Sequence, residues 1–308
     1  MQQTAFIFPG QGSQSVGMLA QLAEAHPVVL DTFKEASDVL GYDLWALVQN
    51  GPEADLNATE RTQPALLAAS VATYRVYLEL GGKAPAVMAG HSLGEYSALV
   101  CAGSLDFKDA IALVEARGQF MQSAVPVGTG AMAAIIGLDD AAVVEGCKEA
   151  AQGDVLEAVN FNSPGQVVIA GSKAAIDRGC ELLKAKGAKR ALPLSVSVPS
   201  HCALMKPAAE KLSARLNALE VKAPAIVVVN NVDVAKENSP AAIKEALVRQ
   251  LYSPVRWTET VQAMAKDGIT ELYECGPGKV LSGLAKRIDK GLTASALHSS
   301  EELQAAIK

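Results

Sequence analysis

Ala84-Pro85-Ala86-Val87-Met88-Ala89-Gly90-His91-Ser92-Leu93-Gly94 runs from an apolar segment into a glycine-bounded serine, and Glu95 to Cys101 follow without a break. Residues 84–89 predict a short buried strand, and 93–101 predict a helix that stops before Gly103. A serine at such a junction sits on a sharp strand-to-helix turn. The glycines on either side remove the Cβ atoms that would crowd a strained nucleophile elbow. The helix N-terminus offers backbone N–H groups to a developing oxyanion, with the Leu93 N–H as one donor. By itself the pentapeptide equally fits a turn whose serine caps a helix.

Working outward, residues 5–8 predict a strand that runs into Pro9-Gly10-Gln11-Gly12-Ser13-Gln14, and helices are expected over 27–40, 63–80 and 106–122. This alternation favours an α/β domain with a mostly parallel sheet. The order then changes. Strands over 131–138, 155–160, 166–170 and 189–197 and helices over 139–151 and 173–186 give β-α-β-β-α-β, a ferredoxin-like arrangement. After Pro199 the first pattern resumes, with helices over 203–219, 240–251, 254–266 and 278–288 and strands over 225–230, 271–275 and 293–297. The expected fold is therefore a hydrolase-like large α/β domain, residues 1–125 and 198–308, with a small ferredoxin-like domain, 126–197, inserted into it.

Composition narrows the function classes. The 308 residues suit about two domains, half of the residues are apolar, and 27 Lys+Arg against 33 Asp+Glu give a net charge of −6. That balance argues against a nucleic-acid binder. Cys101, Cys147, Cys180, Cys202 and Cys275 form no C-x-x-C pair and read as reduced thiols of a cytoplasmic protein. The apolar stretch 64–80 is interrupted by Thr73, Tyr74, Arg75 and Glu79, so it reads as a core helix rather than a membrane span. No metal-ligand set is expected.

A serine nucleophile needs a base, and the four histidines are His26, His91, His201 and His298. His91 adjoins Ser92 on the turn and should point away from it; His26 starts a helix. His201 stands where the inserted domain rejoins the large one, and domain junctions line clefts, so it is favoured over His298. The aspartates near helix starts are explained by capping. A carbonyl can orient the imidazole instead, which leaves a Ser–His dyad. Arg117 lies on the apolar stripe of Ala110, Leu113, Val114 and Met121, where a cation needs an anion to meet it. Its planar fork suits a substrate carboxylate, unless the side chain snorkels to the surface or pairs with an internal one. The Gly10-Gln11-Gly12 loop follows the first strand and can supply a second oxyanion donor beside Leu93. It lacks the spacing of a phosphate or dinucleotide loop.

Taken in order, Phe8-Pro9-Gly10-Gln11-Gly12-Ser13-Gln14, Gln63-Pro64-Ala65, Gly90-His91-Ser92-Leu93-Gly94-Glu95-Tyr96, Ala116-Arg117-Gly118 and Pro199-Ser200-His201 resemble the malonyl-CoA:acyl-carrier-protein transacylases of bacterial type II fatty acid synthesis. The resemblance spans nearly the whole chain. It implies that Ser92 is acylated, that His201 is the general acid/base and that Arg117 binds the malonyl carboxylate, with the Gln11 and Leu93 N–H groups as oxyanion hole. It also implies that the Gln250 main-chain carbonyl orients the histidine and that Gln63 and Met121 line the site. Malonyl-CoA would be the substrate, no cofactor would be permanently bound, and the acyl carrier protein with its phosphopantetheine would be the partner. Ser200 stands where related polyketide synthase modules often carry Phe, so exclusion of methylmalonyl groups does not follow.

Two other readings compete. A hydrolase-type thioesterase would use Ser92 with His298 and either Asp267 or Asp289. A non-enzymatic carrier-protein docking module would need only a basic surface. For either carrier-binding reading, Lys189-Arg190 and Lys286-Arg287 are the expected docking pairs, placed to flank one cleft mouth and attract an acidic partner.

Overall fold

The computed structural model describes residues 3–196 and 198–308. Five parallel strands build the larger sheet: β1 (Thr4–Phe8), β2 (Val87–Gly90), β7 (Val227–Val229), β8 (Glu271–Cys275) and β9 (Thr293–Leu297), in the order β7-β2-β1-β8-β9. Its central strand shows why the sheet is buried on both faces. Phe6 and Phe8 enter one apolar cluster while Ala5 and Ile7 enter the other, as two-sided helix cover demands of a parallel sheet.

The first layer holds α1 (Ala20–Ala25), α2 (Pro27–Leu40), α3 (Leu44–Asn50), α4 (Glu53–Leu56), α5 (Thr59–Glu79), α6 (Gly94–Cys101) and α7 (Phe107–Ser123). Helix α5 is buried along most of its length and packs against α2 and α7. No helix among the described residues is long and apolar enough to cross a membrane.

The chain then forms a four-stranded antiparallel sheet from β3 (Gly130–Ile136), β4 (Leu156–Ser163), β5 (Gln166–Ser172) and β6 (Arg190–Pro193), with α8 (Asp140–Ala151) and α9 (Lys173–Ala185) on one face. The order β4-β5-β3-β6 is the ferredoxin-like arrangement. Ala133 and Ile135 of β3 pack under these helices, and Met132 faces the other way, toward Cys202. The last strand is shorter than expected over 189–197. The assigned strand ends at Pro193, whose ring nitrogen cannot donate to a ladder; the Leu194 N–H makes one more bond to the Met132 carbonyl of β3 at 2.9 Å before the chain departs. Ser197 lies outside the described residues.

The remaining helices, α10 (Lys206–Asn217), α11 (Pro240–Gln250), α12 (Trp257–Lys266), α13 (Val280–Ile288) and α14 (Ser300–Ile307), return to the larger body. The short helices α1, α3, α4 and α14 are additions to the sequence reading.

Candidate active site

Ser92 follows directly from β2 and precedes α6, with φ +52° in the left-handed region. Glycine is required on both sides. A Cβ on Gly90 would stand 1.9 Å from the Gly94 carbonyl carbon, and one on Gly94 would stand 2.1 Å from the Phe8 oxygen. Removing these atoms lets the turn tighten against β1. The main-chain N–H of Ser92 donates to Asn231 Oδ1 at 2.8 Å, which fixes the strained residue.

His201 lies 2.8 Å through Nε2 from Ser92 Oγ, while its Nδ1 is 2.7 Å from the Gln250 carbonyl oxygen. A carbonyl only accepts, so Nδ1 carries the hydrogen and Nε2 presents its lone pair to the serine hydroxyl. Burial, reinforced by the Arg117 charge, lowers the imidazole pKa to about 3. A neutral base stands beside the serine at neutral pH.

Arg117 is 1% exposed. Gly118 brings α7 against the start of α5, where an added Cβ would fall 2.6 Å from Glu60 Cα; this approach sets Arg117 beside Gln63. One guanidinium nitrogen donates to Gln63 Oε1 at 2.8 Å, and the other to Gln250 Oε1 at 2.9 Å and, more weakly, to Ser92 Oγ at 3.4 Å. The Tyr96 ring lies 5.3 Å from the guanidinium carbon. Nε has no partner, and among the described residues Arg117 forms no ion pair. Burial pushes its pKa down, but a guanidinium keeps its charge at any working pH. The Gln63 amide is held in turn by the Met121 sulfur at 3.4 Å.

Ser92, His201, Arg117 and Met121 border one cleft between the two sheets, completed by Gln11, Leu93, Met132, Asn160, Leu194 and Ser200, while Gln63 and Gln250 stand behind the guanidinium rather than on the cleft wall. Neither the Gln11 nor the Leu93 N–H bonds to another main-chain group or side chain among the described residues. The cleft thus joins a serine, a neutral histidine, two free N–H donors and an uncompensated cation. It is equipped for acyl transfer from a substrate that carries a negative charge.

An acyl transferase domain model matches residues 5–285. The malonyl CoA-acyl carrier protein transacylase of Escherichia coli is 65% identical over 308 residues, covering all of both chains. The chain belongs to the malonyl CoA-acyl carrier protein transacylase family. The Bacillus subtilis transacylase is 46% identical over 309 residues, covering 100% of this chain and 97% of the relative. The crystal structure of an acyl carrier protein S-malonyltransferase from Vibrio cholerae superposes with a TM-score of 0.97 at 66% identity, covering 98% of this chain and 99% of that one. A malonyl-transacylase solved in complex with its type II PKS acyl-carrier protein superposes at 0.98, with 64% identity and 99% of each chain covered.

Within this transacylase fold, the base and the acids of the hydrolase reading are not brought to the cleft. His298 pairs with Glu302 after β9, three strands from β2, or about 14 Å. Asp267 pairs with Lys236, and Asp289 accepts from the Gly291 N–H. His26 is bonded to Ser300, and His91 turns away from Ser92 to Asn162. The expected docking pairs all lie on exposed surface. Lys189 and Arg190 are exposed, but Arg190 pairs with Ile136 at the end of β6 away from Leu194. Helix α13 joins the C-terminal end of β8 to the N-terminal end of β9. Lys286 and Arg287 are exposed in its last turn, and the same helix packs against β4 of the smaller sheet.

Asn231 and Glu95 were not singled out from the sequence. Asn231 Nδ2 donates to the Gly90 carbonyl at 2.7 Å, and its N–H donates to Glu95 Oε1 at 2.7 Å. Glu95 Oε2 accepts from Gln250 Nε2 at 3.1 Å. Burial raises the Glu95 pKa to about 8, against the pull of the Asn231 N–H and the Arg117 charge. A carboxyl inside an otherwise apolar helical stretch was the available signal.

Proposed function

We propose that this chain transfers a malonyl group from coenzyme A to the phosphopantetheine thiol of an acyl carrier protein, through a malonyl ester on Ser92. The observation that carries the reading is the buried Arg117 guanidinium 3.4 Å from Ser92 Oγ with no carboxylate paired to it. A cation left open beside a nucleophile selects an acyl group that brings its own anion, and a guanidinium fork matches a carboxylate.

In the first half-reaction His201 Nε2 takes the Ser92 proton as Oγ attacks the thioester carbon. The oxyanion forms within reach of the Gln11 and Leu93 N–H groups. Collapse expels coenzyme A, whose sulfur receives the proton from His201. In the second half-reaction the carrier thiol gives its proton to His201 and attacks the ester, and Ser92 leaves with that proton. Gln250 holds the imidazole through its main chain and the guanidinium through its side chain; Gln63, with Met121 behind it, holds the other guanidinium nitrogen. The chemistry uses these side chains and calls for no resident cofactor. The division into a catalytic domain of 1–125 and 198–308 and a small domain of 126–197, and a cytoplasmic location, belong to the same proposal.

Brief incubation with malonyl-CoA, followed by intact and peptide mass measurement, tests it. The expected result is a malonyl ester on the Ser92 peptide that disappears when holo carrier protein is added. Acylation of Cys101 or Cys202 instead, or release as free malonate with no transfer, would overturn it.

A further inference from the structure

Arg117 lacks a direct counter-ion, yet one carboxyl stands a single side chain behind it. Glu95 Oε2 accepts from Gln250 Nε2 at 3.1 Å, and Gln250 Oε1 accepts from the guanidinium at 2.9 Å. Glu95 and Gln250 are both buried, so little water screens this line. We propose that Glu95 is a positioning residue for the acyl carboxylate, acting on Arg117 through the Gln250 amide and taking up a proton when that carboxylate binds. The inference rests on the malonyl reading above.

The argument is one of charge. Where Glu95 is ionised in the empty cleft, above about pH 8, it offsets part of the Arg117 charge. A malonyl carboxylate on the guanidinium places a second anion in the same dry site, and one cation then faces two. Neutralising Glu95 relieves the excess, so carboxylate binding and proton uptake are linked. Among the described residues Arg117 is the one cation that acts on the Glu95 carboxyl. Tyr96 lies on the same helix; Asp233 and Glu237 face Glu95 from the segment after β7, and Asp233 is itself paired with Arg249 of α11. His201 is held neutral. The carboxyl also has a side away from the substrate: Glu95 borders a small cavity with Asn230 and Glu237, where the buried Asn230 Nδ2 has no partner. Because its pKa is raised to about 8, the group exchanges its proton in a working range.

The test measures equilibrium binding of malonyl-CoA and of acetyl-CoA to the full-length Ser92→Ala protein as pH rises. Acetyl-CoA shares every group except the carboxylate, so the affinity ratio cancels titration of coenzyme A and of the rest of the cleft. The preference for malonyl-CoA should fall about tenfold between about pH 6.5 and about pH 9. In Ser92→Ala/Glu95→Gln the ratio should be flat, whatever general loss the amide causes. Calorimetry near pH 8 in two buffers of different ionisation enthalpy should register proton uptake with malonyl-CoA and none with acetyl-CoA. A flat ratio in the Ser92→Ala protein, or an unchanged slope after Glu95→Gln, would overturn the inference and leave the malonyl reading standing. Absence of any malonyl preference at every pH would overturn both.

Discussion

Asn231 Oδ1 accepts the main-chain N–H of Ser92 at 2.8 Å, so the left-handed nucleophile is held by a residue 139 positions further along the chain. The same side chain donates to the Gly90 carbonyl, and it clamps both ends of the elbow.

Replacing Asn231 by Ala leaves a buried N–H and a buried carbonyl unpaired, at a cost of about 1–3 kcal/mol each. Urea unfolding should show that loss, and the rate of Ser92 acylation should fall with it. Asn231→Asp should be worse, because it removes the donor to Gly90 and sets a second carboxylate against Glu95.

The catalytic unit is expected to be a dyad completed by a carbonyl. His201→Ala should reduce both half-reactions by several orders of magnitude in rapid-quench assays, in line with loss of a base from a serine centre, about 10⁴-fold or more. Asp267→Ala and Asp289→Ala should retain most activity, since neither carboxyl reaches the cleft.

With its pKa lowered to about 3, His201 stays an unprotonated base throughout the mildly acidic range. Single-turnover acylation should therefore hold level as pH falls from neutral, with its acid limb only near about pH 4 or below. An acid limb near the usual histidine value would show that burial does not hold the imidazole down and would overturn this prediction. The stability sign follows from proton counting. Between about pH 6.5 and about pH 3 the unfolded chain binds this proton and the folded one does not, so stability from this group falls as pH drops through that window.

Arg117→Ala should raise the malonyl-CoA KM by two orders of magnitude or more, about 3 kcal/mol, and narrow the gap between malonyl and acetyl transfer. Arg117→Lys should recover little, because one ammonium cannot reach Gln63, Gln250 and a carboxylate together. Equal losses for both acyl groups in steady-state assays would mark a structural arginine.

Much of this architecture was legible because its signals are local. Strand 271–275 and helix 27–40 coincide with their expected limits, since each is a clean apolar period between breakers. The short helices escaped notice for the opposite reason. Helix α4 spans a single turn, and α14 is announced by the Ser299–Glu302 capping box rather than by periodicity. At the site, Ser92, Arg117 and His201 stood out by residue type against their surroundings. Asn231 did not, because an asparagine after a strand reads as turn chemistry. Its work is done across a contact that sequence proximity does not encode.

The long tie between Ser92 and its holders carries a consequence for biosynthesis. A chain growing from its N-terminus makes the serine first, the imidazole 109 residues later and the Asn231 clamp 139 residues later; the Gln250 brace, 158 residues on, comes last. The elbow gains its base first, its anchor next and the carbonyl that sets the tautomer last. A half-made chain therefore carries an ordinary hydroxyl and does not consume thioester on the ribosome. Reactivity arrives with completion of the fold.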